Sequence, residues 1–513
     1  MKEIKNNKYN AAYDLLIRNI DKNPDKIAFI DNNNSITYQE LFRKVKAFSY
    51  SIKKYQIKEN DRIILCMHDS IEYPIVFLGL IWSGIIPICI NTMLPKKDYA
   101  YMIEDSEAKA IITLSDFKNS FLSIIENKKN KPLLIIDDND ELNCLNKLIN
   151  QAENSIENPY DSNENDVAFW LYSSGSTGTP KGTLHIHKSL IATANTYAKK
   201  IIKINKNDIC FSAAKLFFAY GLGNALTFPM SIGATSILMA GRPTAESVSN
   251  IIKKYSVTLF FGVPTLYAAL LSSNININDY QSLRLSISAG EALPAHLCEK
   301  WKKLLGISIL DGIGSTEMLH IFISNSIEDT IPGASGRPVE GYKARLINDD
   351  GKEAFDDEIA ELEVQGPSSA ISYWKKPEKS KLTFKENWVK TGDKYIRNKD
   401  GIYTYCGRAD DMMKVSGQYV SPFEVEAALQ NHKDVLEAAV VGEKDINGLI
   451  KPKAFIVLNE NVSTSKNLEL ELTNHVKSQL TPFKYPRSYE FIDTLPKTAT
   501  GKIQRFKLRI KND

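Results

Sequence analysis

YSSGSTGTPKG, at residues 172–182, is the most distinctive segment of this chain. It combines three glycines, five serine or threonine hydroxyls and one lysine. Its first residue, Tyr172, is the last residue of the apolar run VAFWLY. Glycine lets the backbone approach an anion closely and turn its N–H groups inward, while hydroxyls and an ammonium group supply further donors. The segment therefore predicts a loop that binds the phosphates of ATP, and we call residues 173–181 the phosphate loop.

Two other interpretations of this loop are less consistent with its surroundings. It lacks the Gly-Lys-Ser/Thr sequence of the Walker motif at the required spacing. A flexible Gly/Ser linker is the second alternative. A linker rarely separates a buried strand from a helix, however, and the pattern predicts a helix at residues 188–203. We therefore expect a binding loop placed between a strand and a helix.

Length and composition describe an ordinary globular protein. The chain has 513 residues, of which 43% are hydrophobic and 24% are charged, and its net charge is +3. That length corresponds to roughly three to four domain-sized units with a large core. The small net charge provides no broad basic field, so we expect no nucleic-acid partner.

The cysteines and the N-terminal residues indicate the cellular compartment of the protein. The six cysteines are scattered without C-x-x-C spacing, which argues against a zinc site and a disulfide framework. The opening residues MKEIKNNKYN lead into an amphipathic segment without a long apolar region, so we expect no signal peptide. These features favour the cytoplasm.

One uncharged stretch, YPIVFLGLIWSGIIPICI at residues 73–90, has about the length that spans a bilayer. Prolines, glycines and a serine interrupt it. We expect a buried helix ending near Ser83 and Gly84, followed by a buried strand at residues 85–90. A transmembrane helix is the alternative, and we expect no membrane association.

The remaining patterns predict an α/β fold with a small antiparallel β region and a small α+β C-terminal unit. Up to about Gly336, short apolar runs alternate with helical patterns, which is typical of parallel βαβ units. Thr37 and Glu40 have the spacing of a capping box that opens a helix. After Gly336, period-two runs such as KARLIN and AELEVQG predict antiparallel strands. From about Asp410 onward, helical and strand patterns indicate a separate α+β unit.

Further motifs follow the phosphate loop. LDGIGSTEMLHIF at residues 310–322 places Thr316 and Glu317 just after a glycine-containing turn, where a hydroxyl and a carboxylate suit a phosphate and Mg²⁺. TGDKY at residues 391–395 offers Asp393 as an acceptor for two ribose hydroxyls. Arg408 lies in another motif, GRADDMMKVSGQYVSPFEVE at residues 407–426. PKTATGKIQR at residues 496–505 has the composition of a mobile loop.

These motifs, in this order, resemble the adenylate-forming superfamily of acyl-CoA synthetases, adenylation domains and luciferases over essentially the whole chain. More narrowly, the sequence is similar to the benzoate-CoA ligases. The segments that carry this closer resemblance are KLFFAYGLGNALTFPMSIGAT at 215–235, SAGEALP at 288–294, DGIGSTEMLHIF at 311–322 and DDMMKVSGQYVSP at 410–422.

The resemblance implies an N-terminal adenylating domain at residues 1–409 and a mobile C-terminal lid at residues 410–513. It also implies two half-reactions that use ATP, Mg²⁺ and coenzyme A. The carboxylate of an aromatic acid would attack the α-phosphate, giving acyl-AMP and pyrophosphate. After rotation of the lid, the thiol of CoA would attack the acyl carbon and release AMP.

The resemblance also implies a role for each matching position. Catalysis would depend on Lys502, Thr316 and Glu317, with Glu317 binding Mg²⁺. ATP would be bound by Ser173, Ser174, Gly175, Ser176, Thr177, Gly178, Thr179, Lys181, Gly290, Glu291, Ala292, Asp311, Gly312, Asp393 and Arg408. The acid would be bound by Ala219, Tyr220, Gly314, His320 and Ile321. The hinge and the CoA side would use Asp410, Lys414, Ser416 and Gly417.

Lys502 would act in the first half-reaction. A cation that bridges the carboxylate and the α-phosphate offsets their repulsion and the charge that develops during transfer. The same lysine would block the path of the thiol, which explains the need for a lid that turns at Asp410. In the thioester-forming state, the turn at residues 414–418 would replace Lys502.

Several positions keep alternative interpretations. Tyr220 could belong to the core, and His320 could be a structural histidine with no part in binding the acid. Many superfamily members carry an aromatic residue at the position of Ile313, so we expect an apolar contact there instead of stacking on adenine. We expect structural roles for His185 and His187, because their spacing matches no standard zinc pattern.

We also expect two charged segments to be solvated. Adjacent carboxylates on a linker are usually exposed, so Asp410 and Asp411 are not expected to form an acid–base pair. The basic terminal sequence KIQRFKLRIK at residues 502–511 is expected to be a solvated edge beyond Lys502.

The predicted function is AMP-forming ligation of an aromatic acid, most simply benzoate, to CoA in aromatic compound degradation. Alternatives with the same first half-reaction are a CoA ligase for a substituted benzoate or other cyclic acid and an aryl-acid adenylating enzyme that loads a carrier protein. A third alternative, a non-catalytic nucleotide sensor, is disfavoured by the joint presence of the catalytic positions. A homodimer is compatible with the sequence.

Overall fold

The structure of the chain is a computed structural model. It describes residues 8–510 except 33, 127, 129, 139–142, 152–157, 174–178, 274, 416–417, 446–448, 482 and 498–502. Five predicted phosphate-loop residues, Lys502, Ser416 and Gly417 therefore lie outside the described residues. The side chain of Lys414 lies outside them as well.

The first sheet has seven strands and carries the phosphate loop at one end of its longest strand. Five neighbouring strands are parallel, and the last two in the order add in antiparallel fashion. In spatial order the strands are Leu133–Ile136, Ala110–Thr113, Arg62–Cys66, Ile86–Cys89, Val167–Ser173, Lys181–Ile186 and Ser372–Tyr373.

The second sheet has nine strands, of which the six central ones are parallel. In spatial order they are Asn34–Thr37, Ile27–Asp31, Thr235–Leu238, Ile209–Ser212, Leu259–Gly262, Leu285–Ser288, Ile309–Gly314, Ile321–Ser324 and Arg337–Pro338. Parallel order matches the predicted βαβ alternation, since parallel strands need crossover connections.

Helices connect and cover these strands. The α-helices are Ala11–Ile20, Tyr38–Ile52, Glu72–Trp82, Lys96–Ser106, Lys118–Ile125, Leu145–Asn150, His187–Thr193, Ala219–Leu222, Phe228–Ile232, Ala245–Tyr255, Pro264–Ser272, Ala295–Leu305 and Pro377–Thr383. Ala194–Ile201 and Gly223–Thr227 are π-helical, and Lys53–Tyr55, Ser115–Phe117 and Ile277–Tyr280 are 3-10 turns.

An antiparallel sheet follows, as the period-two pattern predicts. Its strands are Lys343–Ile347, Ala360–Gln365, Phe384–Lys385, Trp388–Arg397 and Tyr403–Arg408. The C-terminal α+β unit contains a hairpin of Met413–Val415 with Gln418–Val420, a sheet of Val435–Lys444, Ile450–Leu458 and Ser488–Phe491, and the helices Pro422–Gln430, Lys466–Gln479 and Arg505–Ile510.

Local predictions at two helices are confirmed. The Thr37 hydroxyl accepts a hydrogen bond from the backbone N–H of Glu40 at 3.2 Å, and the Thr37 N–H donates to the Glu40 carboxylate at 2.8 Å. Residues 73–82 are all buried within Glu72–Trp82, and a buried strand follows. Among the described residues, none of the helices combines the length and apolar character of a membrane span.

The connection after the phosphate loop differs from the prediction. Lys181–Ile186 is a strand that pairs with Val167–Ser173 in antiparallel fashion, so the loop joins two strands instead of a strand and a helix. Sequence patterns missed this strand because Thr183 and His185, both polar, are fully buried on it. The hairpin brings Ser173 directly opposite Lys181.

Candidate active site

The Glu317 carboxylate lies beside the start of the phosphate loop. Its Oε1 accepts a hydrogen bond from the Tyr373 hydroxyl at 2.7 Å and from the Ser173 hydroxyl at 3.2 Å. Its backbone carbonyl accepts from the Ala370 N–H at 2.7 Å. Two different strands therefore hold this carboxylate next to the residues predicted to bind phosphate.

Lys181 completes this cluster from the second strand of the hairpin. Its Nζ lies 4.3 Å from the centre of the Tyr373 ring, a cation–π distance. Burial lowers the pKa of Lys181, and the nearby Glu317 carboxylate acts in the opposite direction. Thr179, another described residue of the loop, is exposed. Lysine, glutamate and two hydroxyls thus face one another where phosphates and a divalent cation are predicted to bind.

Tyr373 is a site residue that the sequence motifs did not predict. Its hydroxyl contacts Glu317 and its ring contacts Lys181, and burial raises its pKa. It lies on Ser372–Tyr373, the short edge strand next to Lys181–Ile186. The segment SYWKKP at residues 372–377 gives only the weak signal of aromatic residues before a proline.

Thr316 is held by a histidine that we predicted to be structural. His185 Nε2 lies 2.9 Å from the Thr316 backbone carbonyl, and its ring stacks on Phe169 at 5.1 Å. Burial lowers the pKa of His185 to about 4, so the ring is neutral at physiological pH and Nε2–H donates to the carbonyl. His187 Nδ1 instead accepts from the Ala11 N–H at 3.1 Å. The two rings have separate structural partners.

The predicted adenine site is at the carboxyl ends of two adjacent parallel strands. Asp311 lies on Ile309–Gly314, and Gly290, Glu291 and Ala292 follow Leu285–Ser288. Asp311 Oδ2 accepts a long hydrogen bond from the Leu293 N–H at 3.5 Å, while Oδ1 is buried without a hydrogen-bond partner among the described residues. Burial raises the pKa of Asp311 well above its usual value. A ligand that donates a hydrogen bond would satisfy this oxygen.

Glycine is favoured at two positions of this site for different reasons. Gly290 has φ +95°, a conformation that favours glycine. A Cβ on Gly312 would lie 2.9 Å from the Ile323 carbonyl oxygen, so this position needs glycine for close packing of two strands.

Asp393 and Arg408 form a pair across two antiparallel strands. Arg408 Nη1 donates to Asp393 Oδ1 at 2.9 Å and to the Thr391 carbonyl at 3.0 Å. The Asp393 carboxylate raises the pKa of Arg408. A Cβ on Gly392 would lie 2.7 Å from Arg408 Nη2, so the small residue leaves room for the guanidinium. The structure brings the two predicted ribose residues into contact.

Tyr220 and His320 lie side by side in the predicted acid pocket. Their ring centres are 5.5 Å apart, and the Tyr220 hydroxyl donates to the Ile287 and Gly262 carbonyls at 3.3 Å. His320 Nε2 lies 3.0 Å from Asn224 Oδ1. Burial lowers the pKa of His320 to about 3, so this ring is neutral at physiological pH.

Small residues surround the His320 ring and backbone. A Cβ on Gly314 would lie 2.6 Å from the His320 carbonyl oxygen, and one on Gly223 would lie 2.4 Å from the imidazole. Ile321 is buried and Ala219 is half-buried. Tyr220 and Gly314 are therefore direct neighbours of His320. The role of the five predicted residues in binding the acid stays a prediction.

The expectation that two charged C-terminal segments are solvated is wrong for Asp411 and Arg505. Arg505 donates to both oxygens of the Glu426 carboxylate, at 2.7 and 3.0 Å, and Arg509 contacts Asp411. The side chains of Arg505 and Asp411 are only 18% and 19% exposed. Asp410 is exposed, as expected. Sequence patterns could not reveal these ion pairs, because their partners lie up to 98 residues apart.

The chain is similar to known proteins over nearly its full length. The model of the AMP-binding enzyme family matches residues 16–374, and that of the AMP-binding enzyme C-terminal domain matches residues 424–502. The chain is 48% identical to the benzoate–CoA ligase of Thauera aromatica, with 98% of this chain and 96% of the relative covered. It is 44% identical to the 4-hydroxybenzoate–CoA/benzoate–CoA ligase of Rhodopseudomonas palustris, with 98% and 94% covered.

Solved structures have the same fold. A benzoate CoA ligase from Burkholderia xenovorans LB400 superposes with a TM-score of 0.91 at 45% identity, covering 98% of this chain and 100% of that one. An anthranilate CoA ligase in complex with anthranoyl-AMP gives a TM-score of 0.94 at 38% identity, covering 99% and 98%.

Proposed function

The chain belongs to the AMP-binding enzyme family of adenylate-forming enzymes, and on that premise we propose that it is an acid–thiol ligase for an aromatic acid. It joins benzoate to coenzyme A through an acyl-adenylate, and it releases AMP and pyrophosphate. Identity of 48% over nearly the whole chain to a benzoate–CoA ligase supports this assignment.

The main structural support for this proposal is the cluster of side chains around Glu317. Ser173 at the start of the phosphate loop, Glu317 after Ile309–Gly314 and Lys181 after the loop meet around Tyr373. A phosphoryl-transfer site needs this combination of cation, carboxylate and hydroxyl donors, because its catalysis is mostly positioning and charge stabilisation.

The residues beside the loop fit Mg²⁺. This ion prefers oxygen ligands and usually takes one or two carboxylates together with substrate phosphates. The Glu317 carboxylate and the Ser173 hydroxyl are 3.2 Å apart and supply such oxygens. When bound, Mg²⁺ would neutralise charge on the phosphates of ATP.

Other residues of this chain hold the substrates. His185 positions Thr316 through its carbonyl, so that the threonine can donate to the α-phosphate. The Asp393 carboxylate, held by Arg408, accepts from the ribose hydroxyls. The orphaned oxygen of Asp311 offers an acceptor to the amino group of adenine.

The acid pocket suits a flat, apolar ring. Tyr220, Ile321 and neutral His320 would form its walls, and Ala219 and Gly314 would border it. Pockets of this kind bind small ligands mainly by apolar contact and orient them with few polar groups. A buried imidazole without charge adds polarity at the edge without attracting a second anion.

Lys502 supplies the cation that adenylation needs beside the α-phosphate. It bridges the carboxylate of the acid and the α-phosphate, and its removal from the site opens the path for CoA. The lid, residues 410–513, turns about Asp410, and the turn that contains Lys414, Ser416 and Gly417 then lines the CoA channel. The exposure of Asp410 and the firm ion pairs of Asp411 support a hinge just before a rigid unit.

The test is AMP release with Mg·ATP and free CoA as the sole acceptor. The acids are benzoate, 4-hydroxybenzoate, 2-aminobenzoate, cyclohex-1-ene carboxylate, 4-coumarate and hexanoate. We expect the highest kcat/KM with benzoate and formation of benzoyl-CoA, detected by mass spectrometry. Omission of CoA should leave pyrophosphate exchange intact.

Each other outcome has a defined meaning. Highest activity with coumarate or hexanoate would refute the benzoate assignment and keep the adenylating mechanism. Adenylation without transfer to free CoA would indicate an enzyme that loads a carrier protein.

We also propose a cytoplasmic location, supported by six cysteines that are all buried free thiols.

A further inference from the structure

A group of histidine and carboxylate side chains lies in the C-terminal unit, apart from every residue assigned above. His432 and Asp434 are on the turn between the helix Pro422–Gln430 and the strand Val435–Lys444. Glu471 is on the helix Lys466–Gln479. One nitrogen or oxygen atom from each of these three side chains lies within 4.8 Å of the other two.

The positions of these side chains are fixed by their surroundings. His432 is only 11% exposed, and its Nδ1 lies 3.8 Å from Asp434 Oδ2 and accepts from the Asp434 N–H at 3.4 Å. The His432 ring packs edge-on against His475, with 5.1 Å between centres. His475 is one helical turn after Glu471, and its Nε2 lies 3.1 Å from the Ala428 carbonyl. The imidazole of His432 therefore has a defined orientation toward both carboxylates.

The charges of this group are not balanced within the described part of the chain. Glu471 Oε1 accepts from the Asn467 amide at 2.7 Å, which is a neutral donor. Among the described lysine and arginine side chains, none forms an ion pair with Asp434 or Glu471, and Lys433, which lies between His432 and Asp434 in sequence, is exposed. Asp434 is half-buried and Glu471 is exposed, and a divalent cation between their carboxylates would neutralise both.

We propose that His432, Asp434 and Glu471 bind a divalent transition-metal ion, with Zn²⁺ as the best match. One imidazole nitrogen and two carboxylate oxygens form a donor set that zinc accepts readily, with water in the fourth position. Zinc bonds to such ligands are about 2.0–2.2 Å long, so small side-chain rotations would bring the three atoms onto one ion. Mg²⁺ prefers oxygen ligands, which separates this site chemically from that at Glu317.

A bound ion would link two parts of the C-terminal unit. The turn that contains His432 and Asp434 leads into Val435–Lys444, an edge strand of the three-stranded sheet, whereas Glu471 belongs to the helix that packs against that sheet. The ion would bind the folded unit and not the unfolded chain. It would therefore raise the midpoint of thermal unfolding in a concentration-dependent way.

The test is calorimetric titration of the chelator-treated full-length protein with Zn²⁺, without ATP and with excess Mg²⁺ to occupy oxygen-only sites. We expect one equivalent of Zn²⁺ to bind. Affinity should fall by about tenfold or more in H432A and in E471Q, since losing even an outer partner of a ligand has effects of that size. Glu469→Gln, on the same helix but outside the cluster, is the control and should bind like the wild type.

Two further measurements make the result decisive. Co²⁺ should give visible absorption bands in the wild type and in E469Q, and these should be absent in H432A and E471Q. Zn²⁺ should raise the midpoint of thermal unfolding in the wild type and in E469Q, but not in H432A or E471Q. The midpoints measured in chelator report whether each variant is folded. Absence of binding to the wild type, or equal binding by E471Q and the wild type, would overturn the proposal.

Discussion

Replacing Tyr373 with phenylalanine removes one hydroxyl and leaves the ring in place. That hydroxyl donates to Glu317 Oε1 at 2.7 Å, whereas the Ser173 hydroxyl donates to the same oxygen at 3.2 Å. The contact of Lys181 with the ring at 4.3 Å needs no hydroxyl and is retained. The substitution therefore isolates the stronger of two hydrogen bonds that orient the proposed Mg²⁺ ligand.

The expected magnitude follows from the type of bond. A hydrogen bond to a charged group contributes about 1.5–3 kcal/mol. Because Ser173 still holds the carboxylate, we expect the lower half of that range, about 1.5–2 kcal/mol. This corresponds to a fall of about 10- to 30-fold in kcat/KM for adenylation, since about 1.4 kcal/mol equals a factor of ten.

Pyrophosphate exchange with benzoate and ATP measures this step without CoA. We expect Y373F to require more Mg²⁺ for half-maximal exchange, while the KM for benzoate stays nearly constant. Tyr403→Phe is the matched control, because its hydroxyl donates to the Ala344 carbonyl in the antiparallel sheet. Exchange by Y373F within twofold of the wild type would show that Tyr373 does not orient Glu317.

Three further changes test other parts of the site. Lys502→Ala should abolish pyrophosphate exchange but largely spare thioester formation from supplied benzoyl-AMP, and an equal loss in both assays would contradict the lid mechanism. Tyr220→Ala should raise the KM for benzoate far more than that for ATP, while equal effects would assign Tyr220 to core packing. Burial raises the pKa of Asp69 to about 6, and its carboxylate accepts from the Leu216 N–H at 3.0 Å. The wild type should therefore lose stability relative to D69N as pH rises from 4 to 6, by at most about 3 kcal/mol, which thermal unfolding at each pH would detect.

Local patterns were sufficient for much of the fold. Parallel strands, the buried helix Glu72–Trp82 and the capping box at Thr37 depend on residues close together in the chain. Lys181–Ile186 was missed, because its buried face carries polar side chains that pair only in the folded protein. Periodicity detects apolar burial and does not detect polar burial.

The sequence by itself determined the chemical groups of this protein: a glycine- and hydroxyl-rich loop, Thr316 and Glu317, Asp393, Arg408 and their order along the chain. Only the tertiary structure decided which groups meet. Glu317 contacts Ser173 across 144 residues and Tyr373 across 56, and Arg505 contacts Glu426 across 79. Such contacts depend on the order of strands in a sheet and on side-chain distances of a few ångströms. Neither can be read from residues that are neighbours in sequence, because local preferences set the elements but long-range packing sets their partners.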